Sequence, residues 1–290
     1  MKESGKWLHD QDAGIGISIK TKGEVLFREE SPYQLVEIYD TEEYGRCLVL
    51  DGVINCTEKD EPAYHEMIAH VPYFSTADAV ERVLIIGGGD GGTAREILRH
   101  ASVQSVELVE IDALVVKAAE QFFPKQKAAL QDSRLQVLCQ DGIHFVKTAK
   151  AASYDLVIID ASDPIGPGEV LFSAEIYREI YRILKPSGQM VSQMGSPYYD
   201  HQYFENGFAD QKAIYGNENV RCFLSVIPTY TGALWSYSLA SKSSISSPNK
   251  EAISKFVAGE NLNYYNLSMH SAAFALPEFV RRKLSSTGIT

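Results

Sequence analysis

Two carboxylates three residues apart close a run of apolar residues: Asp160 and Asp163 end the stretch 154–163, Y-D-L-V-I-I-D-A-S-D. Residues 156–159 (L-V-I-I) are continuous enough to form a strand buried on both faces of a parallel sheet. In an open α/β sheet ligands bind beyond the carboxyl ends of the strands, so Asp160 and Asp163 are placed where a substrate would sit. Pro164, Gly166, Pro167 and Gly168 then exclude helix and regular strand and leave a loop able to cover the site. The plainer alternative is a strand followed by an acidic, solvated turn.

A second constellation lies upstream. Gly87, Gly89 and Gly92 satisfy G-x-G-x-x-G between a strand and a helix, and Glu110 follows about twenty residues later. On that pattern a dinucleotide dehydrogenase stays open. Asp90 argues otherwise, because a carboxylate in the turn repels a pyrophosphate and attracts an ammonium or sulfonium. Glu110 can accept hydrogen bonds from two ribose hydroxyls, and Asp141 from an adenine amino group. Together they describe a pocket for S-adenosylmethionine or a relative with a cationic tail; a helix cap is the plainer reading of Glu110. The sequence H-E-M-I-A-H at 65–70 nearly spells a zinc-protease motif. Histidines five apart on a helix diverge by about 140°, so His65 and His70 cannot share a metal, and none is expected.

These groups need a scaffold. Residues 1–61 alternate in the β manner, at 17–20, 24–29, 34–39, 47–50 and 53–57, and predict a small antiparallel β domain. Pro62 suits the first turn of a helix through Tyr64, Met67, Ile68 and Val71. From Arg82 strands alternate with helices: strands at 83–86, 105–111, 135–139, 156–159 and 189–193, and a helix over 174–184 before the turn 185–188. A hairpin at 221–227 and 233–240 adds an antiparallel strand at the sheet's end. The prediction for 62–290 is α/β, a doubly wound Rossmann-like sheet of the methyltransferase type. Residues 241–249 read as an exposed serine-rich loop, and 264–284 as a segment packed back on the body.

At 290 residues the chain can bury a sizeable core, and a net charge of -11 leaves no basic stripe for nucleic acid. A cationic small substrate fits better. Cys47, Cys56, Cys139 and Cys222 form no C-x-x-C pair, and no apolar run resembles a signal peptide or a membrane span. A cytoplasmic protein with reduced thiols is expected.

The stretches 50–53 (L-D-G-V), 57–61 (T-E-K-D-E), 64–67 (Y-H-E-M), 85–92, 160–167, 227–230 (I-P-T-Y) and 273–277 (A-F-A-L-P) resemble, in this order, the spermidine synthases. The resemblance runs from about Trp7 to about Leu284. It implies an aminopropyltransferase: decarboxylated S-adenosylmethionine, a co-substrate rather than a cofactor, gives its aminopropyl group to putrescine, yielding spermidine and methylthioadenosine. A primary amine has a pKa of about 10.4 and attacks carbon only when neutral, so Asp160 is expected as the base, with Tyr64 orienting the nitrogen. By the same resemblance Asp163, Pro167 and Tyr230 bind substrate, and Gln34, His65, Asp90, Glu110, Asp141 and Gly142 hold the nucleoside. Taken alone, Tyr64 reads as a core-edge aromatic, Gln34 as a strand-surface residue, His65 as a satisfied helix histidine and Tyr230 as packing. A homodimer or homotetramer is implied.

Asn55 stands where many members have glutamine and Pro62 where an aromatic residue is common, while 194–220 is unlike the family. Cadaverine or agmatine therefore remain open as acceptors. So do an amine N-methyltransferase on the same scaffold and a non-catalytic polyamine or nucleoside sensor.

Overall fold

The computed structural model describes residues 6–12, 15–161, 170–199 and 201–286. The chain begins with two antiparallel sheets. β1 (Trp7–Asp12) pairs with β2 (Ile15–Lys20). β3 (Phe27–Glu30), β4 (Leu35–Thr41), β5 (Gly45–Leu50) and β6 (Val53–Thr57) form a four-stranded meander in sequence order. Val36, Ile38, Leu48 and Cys56 of this meander bury one face against α3 (Ala113–Phe122), whose Val115 and Ala118 meet them. Two-stranded and small sheets need such a partner surface to be stable.

α1 (Glu61–Tyr73) starts one residue before Pro62, and every side chain from Glu61 to Pro72 is buried. A helix buried on all sides lies between other layers of the molecule. One neighbour is the large sheet, built from β7 (Arg82–Gly87), β8 (Ser105–Glu110), β9 (Leu135–Cys139), β10 (Tyr154–Asp160), β11 (Leu184–Gln193), β12 (Val220–Val226) and β13 (Leu234–Ser241). Its order is β12-β13-β11-β10-β7-β8-β9. β7 to β11 run parallel, and β13 is antiparallel to both β11 and β12.

The period-2 alternation of a strand divides the core. Val83, Ile85, Leu156 and Ile158 pack with Met67 and Ile68 of α1 and Ile97 of α2 (Gly92–Leu98). Leu84, Ile86, Val157 and Ile159 face the other way, onto Ile176 and Ile180 of α6 (Ala174–Ile183) and Phe204 and Phe208 of α7 (His201–Tyr215). α4 (Pro124–Leu130) and α5 (Gly142–Thr148) complete the crossovers. α8 (Lys250–Gly259), α9 (Leu267–Ala272) and α10 (Glu278–Ser286) follow the sheet, and Tyr265, His270 and Val280 are buried against the body. Among the described residues no helix is long and apolar enough to cross a membrane.

Four local features differ from the expectation. β1 lacks the β-branched alternation that identifies a strand, and only its pairing with β2 defines it. Residues 185–188 do turn, but as a bulge inside β11: Tyr154 pairs with Leu184 and Leu156 with Gln189. The antiparallel strand is not at the sheet's end. β13 lies one place in, which is why its residues from Trp235 onward are all buried while β12 exposes Arg221 and Val226. In the serine-rich loop, Ile245 is buried and Ser246 donates its amide to the Ser75 carbonyl, so that stretch is partly anchored.

Candidate active site

Asp160 ends β10 opposite Gly87 of β7. The two backbones come so close that the Gly88 amide donates to the Asp160 carbonyl at 2.7 Å. Gly87, at φ +82°, has to be glycine, since a Cβ there would run into that carbonyl oxygen. The Asp160 carboxylate receives two hydroxyls: Tyr64 of α1 donates to Oδ1 at 2.7 Å and Thr93 of α2 to Oδ2 at 2.6 Å. Burial, and after it the negative charge of Asp90, raise the Asp160 pKa above the ordinary aspartate value against these donors. A buried carboxylate with a raised pKa and spare lone pairs is suited to take a proton from an ammonium.

Asp90 sits in the turn after β7 and accepts the Gly92 amide at 2.6 Å. Its charge is balanced by His65, whose Nε2 lies 3.4 Å from Asp90 Oδ1. Burial would raise the Asp90 pKa, but His65 and the Gly92 amide outweigh it and hold the carboxyl below its usual range. Glu110, at the end of β8, accepts the Gly89 amide at 3.1 Å and the Asp112 amide at 2.9 Å. Burial nevertheless pushes its carboxyl up to about 7. Asp112, not Glu110, is the N-cap of α3, accepting the Leu114 amide, and Asp141 caps α5 in the same way through Ile143. Gln34 donates its side-chain amide to Asp112 at 2.9 Å and so ties the end of β4 to the sheet.

One cavity of about 640 Å³ joins these groups. Gln34, Tyr64, Asp90, Glu110, Asp141, Gly142, Asp160 and Tyr230 line it, whereas His65 stands behind Asp90. Tyr230 packs its ring 5.8 Å from Tyr64 and 4.8 Å from Trp235 and donates its hydroxyl to the Asn55 carbonyl at 2.7 Å. Asp163, Pro167 and the covering loop around them lie outside the described residues. The sequence reading missed Thr93, Gln193 and Trp235. Thr93 carried a usable signal, since it opens the helix directly after the glycine turn; Trp235 carried none, because only the β12–β13 connection brings it to the cavity.

A seven-stranded sheet of this order, with carboxylates along the carboxyl edge of its parallel strands, defines a protein of the Rossmann-like α/β class with its ligand site at the strand ends. The family model described as "Spermine/spermidine synthase domain" matches residues 61–250, and "Spermidine synthase tetramerisation domain" matches residues 6–58. A polyamine aminopropyltransferase of Moorella thermoacetica is 42% identical over 283 residues, covering 97% of each chain. One of Alkaliphilus metalliredigens is 40% identical over 98% of this chain and 99% of its own. A solved spermidine synthase in complex with the transition-state analogue AdoDATO superposes with a TM-score of 0.92 at 34% identity, over 99% of this chain and 96% of that one. The spermidine synthase of Thermotoga maritima gives 0.88 at 34% identity, over 97% and 95%. The chain belongs to the spermine/spermidine synthase family and is a polyamine aminopropyltransferase.

Proposed function

We propose that the enzyme transfers the aminopropyl group of decarboxylated S-adenosylmethionine to putrescine, giving spermidine and methylthioadenosine. The observation that carries this reading is the charge of the cavity wall. Asp10, Asp51, Asp90, Glu110, Asp141 and Asp160 line it, and among the described lining residues there is neither Lys nor Arg. Such a wall suits a donor whose tail ends in an ammonium and disfavours intact S-adenosylmethionine, whose carboxylate would need a positive neighbour. This speaks, as the family does, against the methyltransferase alternative.

In this reading Glu110 takes the ribose hydroxyls and Asp141 with Gly142 the adenine end, while Gln34 braces that edge through Asp112. Asp90, backed by His65, faces the donor's ammonium. The acceptor lies along Tyr64, Tyr230 and Trp235, whose rings cover its methylenes and favour its cationic end. Asp160 takes a proton from the near ammonium, and the freed amine attacks the propyl carbon attached to sulfur. The C–N bond forms as the C–S bond breaks and neutral methylthioadenosine leaves. In-line positioning supplies much of the rate, and no metal or cofactor is required. Asp163 and Pro167 are assigned to the acceptor side by resemblance alone. The bound AdoDATO of the solved spermidine synthase supports a site that holds donor and acceptor together. The match to a tetramerisation domain supports a homotetramer, with the meander as the associating face. The four free cysteines support a reducing, cytosolic setting.

The test is a mass-spectrometric assay offering S-adenosylmethionine or its decarboxylated form with putrescine, cadaverine or agmatine. Methylthioadenosine and spermidine from the decarboxylated donor with putrescine are expected. Preferential product from another amine would transfer the assignment to that acceptor, and binding without product would favour a sensor. Asp160→Asn should keep donor binding and lower turnover by about 10²- to 10³-fold, the usual contribution of a general base; turnover like that of the wild type would remove Asp160 from that role.

A further inference from the structure

Behind Asp90 a chain of buried charges crosses from α1 to α2. His65 Nδ1 lies 2.6 Å from Glu61 Oε2, and the same oxygen receives Arg95 Nη2 at 2.8 Å. Arg95 Nε donates to Glu96 Oε1 at 2.6 Å, and Glu96 Oε2 in turn meets Arg99 Nε at 2.7 Å. Arg99 leaves the core through Glu260, its partner at 2.7 Å. The side chains of Glu61 and His65 are each 3% exposed, and that of Glu96 is fully buried. Charges alternate in sign along the whole row. Gly92 makes the junction possible, because a Cβ there would overlap the His65 ring.

We infer that Glu61 and Arg95 are positioning residues that keep the His65–Asp90 pair charged, and so decide that a proton entering the site goes to Asp160 rather than to Asp90. The inference rests on the reading of Asp160 as base. The reason for it is stereochemical. With a carboxylate at each ring nitrogen, His65 is best satisfied when both nitrogens carry protons. A buried imidazole and carboxylate could instead neutralise each other by proton transfer, since burial disfavours both charges. Arg95 blocks that escape for Glu61, because a guanidinium does not give up its proton and would be left beside a neutral acid. Besides Glu61 and Arg95, the titratable groups facing the pair are Tyr64 of α1, Cys56 of β6, Asp160 of β10 and Tyr230 of the β12–β13 turn. All of these are neutral or anionic. The nearest cation at Asp90 is therefore His65, with Arg95 behind it, and Glu61 supports the charge of His65 from the ring nitrogen opposite Asp90. Consistent with this, Asp90 and Glu61 raise the His65 pKa well above the ordinary value although burial lowers it.

The substitution to make is Glu61→Gln, which keeps size and an acceptor oxygen but removes the charge. His65 should then lose its second proton, and Asp90 and Asp160 should compete for one proton at higher pH. The acidic limb of the kcat profile should move up by about one pH unit, the effect of one nearby charge, and KM for the decarboxylated donor should rise about tenfold on that limb, where Asp90 now takes the proton. Arg95→Lys, which retains a cation, should keep the limb near its wild-type position, and Arg95→Met should not. Nitrogen-15 spectra of histidine-labelled wild-type enzyme should show both His65 ring nitrogens protonated at pH 8, and one in Glu61→Gln. A lower Tm in Glu61→Gln with the limb and donor KM unchanged would overturn the inference, as would a singly protonated His65 in the wild type. If the wild type makes no product from the decarboxylated donor and putrescine, the functional reading fails instead. The ring-nitrogen spectra, which need no turnover, still decide for or against the charged chain.

Discussion

Glu110 shows how one side chain can link pH to ligand binding. Its carboxyl is held by two backbone amides, yet burial pushes it up to about 7. Because the folded value is raised, its contribution to stability in the empty enzyme is complete below the unfolded value and is lost as pH rises through about 7. A ribose that donates two hydroxyls prefers the ionised form, so methylthioadenosine affinity should fall as pH drops through 7. Titration calorimetry across that range checks this, and Glu110→Gln should both weaken binding about tenfold and flatten the pH dependence. Unchanged affinity in that variant would remove Glu110 from the ribose. Glu110 and Asp160 at strand ends, and Asp90 and Asp141 in the turns just beyond them, could be placed at the cavity from the sequence because the fold class itself puts ligands there. Thr93 and the Glu61–Arg95 link were not, since they depend on how two helices pack. His65 was recognised only by resemblance, and its relation to Asp90 needed the geometry.

α1 is an element with two functional faces. Tyr64 points to the cavity and His65 to Asp90 behind it, whereas Glu66 points away and accepts the amides of Asn263, Tyr264 and Tyr265 at 2.8, 2.9 and 2.7 Å. One buried carboxylate thus fastens the segment between α8 and α9. Glu66→Ala would leave three donors without their acceptor and should cost about 3 kcal/mol or more. Hydrogen exchange should then show residues 263–265 opening before the sheet; protection equal to the wild type would mean that packing of Tyr265 alone holds the segment. At this scale the parallel strands were readable because each is a short, doubly buried apolar run. β1 was not, because W-L-H-D-Q-D has no alternation and its identity comes from the partner strand. The location of β13 was also beyond reach: a hairpin is a local signal, but which of its two strands lies inward is settled by the edge of β11.

For the molecule as a whole, stability against acid follows from the same buried charges. Glu61, Asp90 and Glu96 have folded values below their ordinary ones, in each case because cationic partners overcome burial. Their stabilisation is present above the ordinary carboxylate range and is lost as pH falls through the lowered values. A tenfold gain in the acidity of one carboxyl on folding is worth about 1.4 kcal/mol, and for a chain of this size 1 kcal/mol moves Tm by about 2–4 °C. A decline in Tm on the order of 10 °C is therefore expected between about pH 5 and pH 3. Glu96→Gln, whose acid titration is abolished, should show a shallower decline in a scan of Tm against pH, and an identical slope would exclude this network as the cause. The inward position of β13 has a consequence for synthesis. The outer edge of β11 is complete by residue 193, but the strand that covers it ends at Ser241. A ribosome-bound chain therefore carries an open, hydrophobic strand edge while about fifty more residues are translated. In that interval the nascent enzyme is most exposed to mispairing with its neighbours and has most to gain from a chaperone.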